Sequence, residues 1–152
     1  MREISSTLSS SLKQEEVFDL LLVELYKLIP YDGGNVMLLN GESLQVARTY
    51  GYEKYGQEVA DIARNFHFNI GEIGELKDAM YDHQPIIVKD ILDFPNWINN
   101  QSPVQFRSWL GYPIVIDNKV DAIISLDKVE PNFFNEEHAS ILTIFSNQAA
   151  SA

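Results

Sequence analysis

The chain has 152 residues, 45% of them hydrophobic, and its 22 acidic against 11 basic side chains give a formal net charge of -11. That composition supports a buried core within one domain and argues against disorder, while an acidic balance without a lysine or arginine cluster excludes nucleic acid and an anionic membrane surface as partners. The absence of cysteine excludes disulfides, thiolate metal sites, cysteine nucleophiles and thioether-linked cofactors.

The N-terminal MREISSTLSSSLK lacks the apolar run of a signal peptide. No stretch approaches the roughly 20 apolar residues of a bilayer span, so a soluble, cytoplasmic chain is expected. Ile4, Leu8 and Leu12 recur at four-residue spacing in a serine-rich stretch, which predicts a short helix that needs a neighbour. From Gln14 to Ile29 the spacing predicts a stronger helix. Val17, Phe18, Leu21, Leu22, Leu25, Tyr26, Leu28 and Ile29 form its core-facing arc, and Pro30 ends it. Leu20 and Val23 fall on the polar side with Glu16, Asp19, Glu24 and Lys27. They are either isolated exposed apolar residues, which are ordinary, or a second contact surface for a partner helix.

Gly33-Gly34 admits a strand at Asn35 to Leu39, Asn40-Gly41 signals a hairpin, and the partner strand runs from about Ser43 to Tyr50. Lys54 to Asn65 is helical or irregular, and a short apolar piece follows at Phe66 to Ile70. Glu75 to Asp82 fits a short helix and Pro85 to Val88 a buried strand. Asp90 to Ser108 mixes proline, asparagine and aromatics and predicts a long excursion with a little helix. Two strands then follow, joined at Asn118-Lys119 and apolar on both faces, as in a sheet covered on both sides. Asn135 is a good N-cap for the last helix, with Glu136 and Glu137 in its first turn. Ile141, Leu142, Phe145 and Ala149 make its buried stripe, and Ile144 points away from them. The chain stops at Ala152 while still helical in pattern, so residues 1–152 are expected to be an excerpt from a longer protein.

The segments RSWLGYPIVIDNKVDAIISLDK and FFNEEHASILTIFSNQAASA resemble the closing pattern of the GAF domain: a hairpin, then Phe, acidic residues and an apolar helix. This family supplies the sensory or regulatory module of many signal-transduction proteins, histidine kinases among them. LKQEEVFDLLLVELYKLIPYDGGNVMLLNGESLQVARTYGY resembles its opening helix and first hairpin, and HQPIIVKDI its middle strand. The resemblance covers nearly the whole chain. It implies an α+β fold: a central antiparallel sheet of about six strands, N- and C-terminal helices on one face, and short helices and loops forming a ligand pocket on the other.

No pattern places catalysis. There is no Gly-x-Ser-x-Gly elbow, and His67, His83 and His138 lack metal-ligand spacing. Neither an enzyme nor a metal site is expected. His67, among Phe66, Phe68 and Ile70, is the histidine to weigh as a haem ligand. Gly71-Glu-Ile-Gly74 reads as a turn and helix start, since no P-loop lysine follows and its glutamates repel anions. Within the family, methionine sulfoxide reductases and covalent bilin photoreceptors use cysteines, and this chain has none, so a covalent bilin is excluded, a noncovalent haem or bilin is left open as a lesser reading, and the cofactor is unknown. Cyclic-nucleotide-binding members carry an asparagine-lysine pair, a later phenylalanine and an aspartate-glutamate pair. The matching positions here are Asp127, Lys128, Phe134, His138 and Ala139. Lysine and phenylalanine match and the other three do not, which counts against a cyclic nucleotide.

Phe94, Trp97, Phe106, Arg107, Trp109 and Tyr112 form the candidate ligand-binding set. Aromatics offer flat apolar faces, and one arginine can pair an anion or stack on a ring. The bland alternative is a private core over the sheet, with Arg107 tied to Asp90 or Asp93. Two functions follow: a non-catalytic domain sensing a small molecule and signalling through its terminal helices to a downstream effector domain, or a ligand-free dimerisation and relay module. In either case Leu8, Leu12, Leu20, Val23 and Ile144 are the expected homodimer interface.

Overall fold

A computed structural model describes residues 2–72, 74–95, 97 and 101–151; the side chains of residues 2–12 and 75 lie outside that set. The elements are α1 (Arg2–Leu28), β1 (Gly33–Asn40), β2 (Ser43–Tyr50), α2 (Gln57–Arg64), β3 (His67–Asn69), α3 (Gly74–Tyr81), β4 (Ile86–Val88), β5 (Ser108–Ile116), β6 (Lys119–Lys128) and α4 (Glu136–Ala150). Short 3-10 turns occupy Tyr52–Tyr55, Ile70–Glu72 and Ile91–Asp93. The two helices expected before Pro30 are one. No glycine or proline interrupts the helix formers between Leu12 and Gln14, so α1 runs through.

The six described strands form one antiparallel sheet in the order β3-β2-β1-β6-β5-β4. Two tight hairpins set its register. Between β1 and β2, Asn40 pairs with Ser43 around Gly41, whose φ of 65° a glycine adopts without strain. Between β5 and β6, Ile116 pairs with Lys119, so the turn residues are Asp117 and Asn118, at φ 54° and 63°. This corrects the expected Asn118-Lys119 turn by one residue. Short polar Asp and Asn tolerate the left-handed region, whereas Lys119 enters the ladder.

Period-two alternation sorts the sheet into two layers. Val36, Leu110, Tyr112, Ile114, Ala122, Ile124 and Leu126 face α1 and α4, where Phe18, Leu21, Leu22, Leu25, Ile29, Ala139 and Leu142 complete one core. Ile141, Phe145 and Ala149 pack against it as the stripe predicted. Tyr26 and Leu28, by contrast, are exposed. Tyr26 leaves the core to meet Tyr31 and Tyr50 edge-on, at centroid distances of 5.3 and 5.5 Å. The Asn135 side chain caps α4 by accepting from the His138 amide at 3.0 Å, and His138 Nδ1 accepts from the Asn135 amide. On the other face Met37, Leu44, Val46, Trp109 and Ile123 meet Ile70, Leu76 and Met80, so that α3 and the following loops cover the sheet there. Among the described residues no helix is long and apolar enough to cross a membrane.

Candidate functional site

Between the sheet and its loop cover lies a cavity of about 640 Å³, within the usual range for small-molecule sites. Its walls are aromatic and aliphatic: Phe66 and Phe68 from the β3 edge, Phe94 and Trp97 from the excursion, and Trp109 from β5. Trp97 stands edge-on to Trp109, with centroids 5.2 Å apart, and Phe94 to Trp97 at 6.1 Å. Phe106 packs edge-on to Tyr52 and Tyr55 at 5.7 and 5.6 Å, closing the α2 side.

The floor is polar, and it comes from the middle of the sheet. Asn35 on β1 pairs in register with Ser125 on β6, and Asp127 stands two residues further along the same face. Two glycines make room for rings beside these groups. A Cβ on Gly33 would overlap the Tyr52 ring, and a Cβ on Gly111 would overlap the Trp109 indole. The bare backbone at Gly33 admits the Tyr52 ring against β1, and the Tyr52 hydroxyl reaches the Asp127 carboxylate.

A directed chain of hydrogen bonds follows. Tyr52 Oη donates to Asp127 Oδ2 at 2.6 Å, and Asn35 Nδ2 donates to Tyr52 Oη at 2.9 Å. Because the phenol commits its one proton to the carboxylate, Asn35 must turn its NH₂ toward it. Asn35 Oδ1 is thereby left as an acceptor. It and Ser125 Oγ are buried and have no hydrogen-bond partner among the described residues. Burial pushes the Asp127 carboxyl up to about 7, the Tyr52 hydrogen bond opposes that rise, and the nearby Asp32 charge adds to it. Burial first, then Asp127, also raises the Tyr52 phenol well above its ordinary value.

The residues expected to bind ligand divide. Phe94, Trp97, Phe106 and Trp109 line the cavity. Tyr112 does not. It lies three residues from Trp109, on the helix-facing side, where its hydroxyl donates to Asn147 Oδ1 of α4 at 3.1 Å. Arg107 is also outside the lining. Its guanidinium grips Asp90 through two parallel bonds, Nε to Oδ1 at 2.9 Å and Nη2 to Oδ2, the alternative that tied it to a local acid. That pair holds the Asp90 carboxyl below its ordinary range, chiefly through the hydrogen bond. His67 sits exposed on β3 while its neighbours Phe66 and Phe68 turn inward, so it is not placed to ligate a group in the cavity. Lys128 donates to the Pro30 carbonyl and lies 3.5 Å from Asp32, away from the cavity. Among the described residues no group of three metal-ligating side chains occurs.

Asn35, Tyr52 and Ser125 are cavity residues that sequence patterning missed, and Asp127 entered it only as a position of the cyclic-nucleotide pattern. One signal was available: Ser125 and Asp127 are two polar residues at period two in an otherwise apolar buried strand. Of the expected dimer residues, Leu20 and Ile144 are exposed, at 60% and 55%, on the neighbouring helices α1 and α4, and Val23 is half-buried. The Leu8 and Leu12 side chains lie outside the described residues.

The GAF domain family model matches residues 11–152. No curated protein matches. Among solved structures, the blue-light absorbing form of the PixJ GAF domain of Thermosynechococcus elongatus superposes with a TM-score of 0.78 at 18% identity, covering 95% of this chain and 86% of that one. A methyl-accepting chemotaxis protein fragment, residues 122 to 287, gives 0.70 at 20% identity, with coverages of 97% and 93%. A type II free methionine-R-sulfoxide reductase from Thermoplasma acidophilum gives 0.68 at 16% identity, with coverages of 91% and 92%. At these identities the likeness is one of fold.

Proposed function

The chain belongs to the GAF domain family, and from that premise we propose that it is a non-catalytic sensory domain which takes a small molecule into the cavity over its sheet and relays occupancy through α1 and α4. The observation that carries this reading is the cavity itself: about 640 Å³ of space with aromatic walls and buried polar atoms on its floor. GAF domains are in general sensory modules of signalling proteins, and the chemotaxis and photoreceptor relatives in fold accord with that. The reductase relative shows that the fold can also carry catalysis. The sequence has no cysteine, and among the described residues lining the cavity there is no histidine or lysine to serve as a base, which favours binding over turnover.

The sheet supplies a short path for the signal. On β6, Ser125 and Asp127 face the cavity while Ile124 and Leu126 face the helices. On β5, Trp109 faces the cavity, and Tyr112 bonds Asn147 of α4. A shift of the floor therefore acts on the helix core across one strand thickness. A ligand moves that equilibrium only by binding one arrangement more tightly than the other.

Native mass spectrometry and an absorption spectrum of protein purified from cells that make haem and bilins test the reading, with hydrogen exchange of α4 in the presence and absence of any copurified mass. A bound mass whose removal changes exchange at Tyr112 and α4 is the expected result. A clean apoprotein, unchanged by a metabolite extract, favours the second reading, a relay and dimerisation module. The exposure of Leu20 and Ile144 on adjacent helices supports that alternative.

A further inference from the structure

The polar atoms on the cavity floor share one chemical character. Asn35 Oδ1 can only accept, the Asp127 carboxylate can only accept, and Ser125 Oγ can do either. Asn35 is 8% exposed and Ser125 0%, and neither of these oxygens has a partner among the described residues. Each is destabilising while it stays unsatisfied. Asp127 is also the sole charged residue among the described residues lining the cavity. Arg107, Lys128 and Lys54 lie outside the lining and are engaged elsewhere, Arg107 with Asp90, Lys128 with Pro30 and Asp32, and Lys54 with Asp32. An anionic guest would meet a carboxylate and no counter-charge. A purely apolar guest would leave the acceptors unanswered.

We propose that the cavity accepts a small organic cation, with an apolar body held between the Trp97, Trp109, Phe66 and Phe68 rings and a positively charged nitrogen group paired with the Asp127 carboxylate, beside the buried acceptors Asn35 Oδ1 and Ser125 Oγ. The aromatic walls fit this charge as well as the floor does. Ring faces attract ammonium groups, most strongly when these are desolvated, and Trp97 and Trp109 stand at the same end of the cavity as Asp127, which is the register partner of Trp109. The inference deepens the ligand-binding reading above and rests on it.

Proton linkage is the accompanying signature. Asp127 faces Tyr52 from the turn after β2 and feels the Asp32 charge from the loop before β1; Asp32 in turn lies 3.5 Å from Lys128 and 3.9 Å from Lys54. Below neutrality its carboxyl carries a proton, which a cationic guest must displace to the buffer. Affinity therefore rises with pH until the carboxylate is fully ionised.

Three probes with one body separate the charge from the pocket: tryptamine, the neutral tryptophol and the anionic indole-3-propionate, titrated calorimetrically into the wild-type chain. Tryptamine is expected to bind at least about tenfold more tightly than either of the others at about pH 8. At about pH 6.5 it should bind more weakly and release a proton, seen as different heats in phosphate and Tris. Asp127→Asn, checked for an intact thermal transition, should reduce the tryptamine preference to less than about threefold. The wild-type comparison and the proton count decide the matter even if that variant does not fold. Equal binding of tryptophol or indole-3-propionate overturns the cation and leaves the ligand cavity standing. No binding by any of the three up to about 10 mM overturns both.

Discussion

Tyr52 and Asp127 are joined by a 2.6 Å hydrogen bond across 75 positions of sequence, over a glycine whose missing side chain admits the ring. The bond ties the turn after β2 to the central strand β6, and it partly offsets the burial of a carboxyl that forms no ion pair among the described residues. Stability is therefore set by pH in an unusual direction. The carboxyl rests at about 7 in the folded chain against an ordinary value of 3.8, so between these values the folded state holds a proton that the unfolded chain releases. Stability falls as pH rises through that window and levels above it. Asp127→Asn keeps an acceptor for Tyr52 and removes the charge. The variant is expected to match the wild type at about pH 4 and to exceed it by about 1–3 kcal/mol at about pH 8. Chemical denaturation across this range checks it; parallel curves for the two proteins would contradict the assignment.

Tyr52→Phe tests the same bond from the other side. It removes the donor to Asp127 and the acceptor of Asn35 Nδ2 while leaving the ring against Phe106. A loss of about 1–3 kcal/mol is expected, larger above neutrality than at acid pH, because the abandoned carboxylate is then charged. The same denaturation series reads it, and a loss independent of pH would place the effect in packing instead.

Gly111→Ala probes the wall. The added methyl collides with the Trp109 indole, a rigid ring that must rotate away and carry its contact with Trp97 along. A cost of about 1–3 kcal/mol is expected, with a shift in tryptophan emission. Gly74→Ala at the start of α3 meets nothing and has no positive φ, so it serves as the neutral control. Crystal structures or emission spectra of the two variants distinguish them.

Much of this fold was legible from short-range pattern. The hairpins, the helix stripes, the Asn135 cap and the strand at Ile86–Val88 all depend on residues a few positions apart, although that strand is an edge strand in which Val88 alone is buried. The placement of Tyr112 and Arg107 outside the cavity lining was also open to simple reading of the sequence. Trp109 and Tyr112 are three apart in a strand and so face opposite ways, and an acid at Asp90 stood ready to engage Arg107. The floor of the cavity is different. Ser125 and Asp127 look like minor interruptions of an apolar strand until β6 is laid against β1, where Asn35 meets Ser125 and Gly33 meets Asp127. Tyr52 joins them from a turn whose path no local pattern records. Such a site exists only in the long-range register.

Arg107, outside the cavity lining, has a role in the excursion that covers it. Its carbonyl accepts from the Ile91 amide at 2.7 Å while its side chain holds Asp90, so both ends of the excursion that carries Phe94 and Trp97 are fastened at one residue. The pair is partly exposed, and exposed ion pairs contribute little to global stability. Arg107→Ala should therefore leave the melting temperature nearly unchanged and raise hydrogen exchange locally, at Leu92 and Phe94 and not in β6. The Asp90 carboxyl lies below its ordinary range, so the fastening is present above that range and is lost only as pH falls through the lowered value. Exchange of the wild type in strong acid should resemble that of the variant at neutrality. Faster exchange throughout the sheet would make the pair a global support instead of a local one.

The proposed relay through α1 and α4 makes a demand on their outer surfaces. Leu20 is 60% and Ile144 55% exposed, on helices that lie side by side over the same core. Either aliphatic group alone would be ordinary. Pairing of two copies about a two-fold axis would cover both, with half-buried Val23 beside Leu20 on α1. Leu20→Glu and Ile144→Glu each place a charge where such a contact would exclude water, and because both positions are exposed in the single chain the fold should persist with its thermal transition intact. Light scattering is expected to show a wild-type dimer that each substitution weakens by about a hundredfold or more. A wild-type monomer, or a dimer indifferent to both changes, would remove these helices from the interface and leave the cavity to signal within one chain.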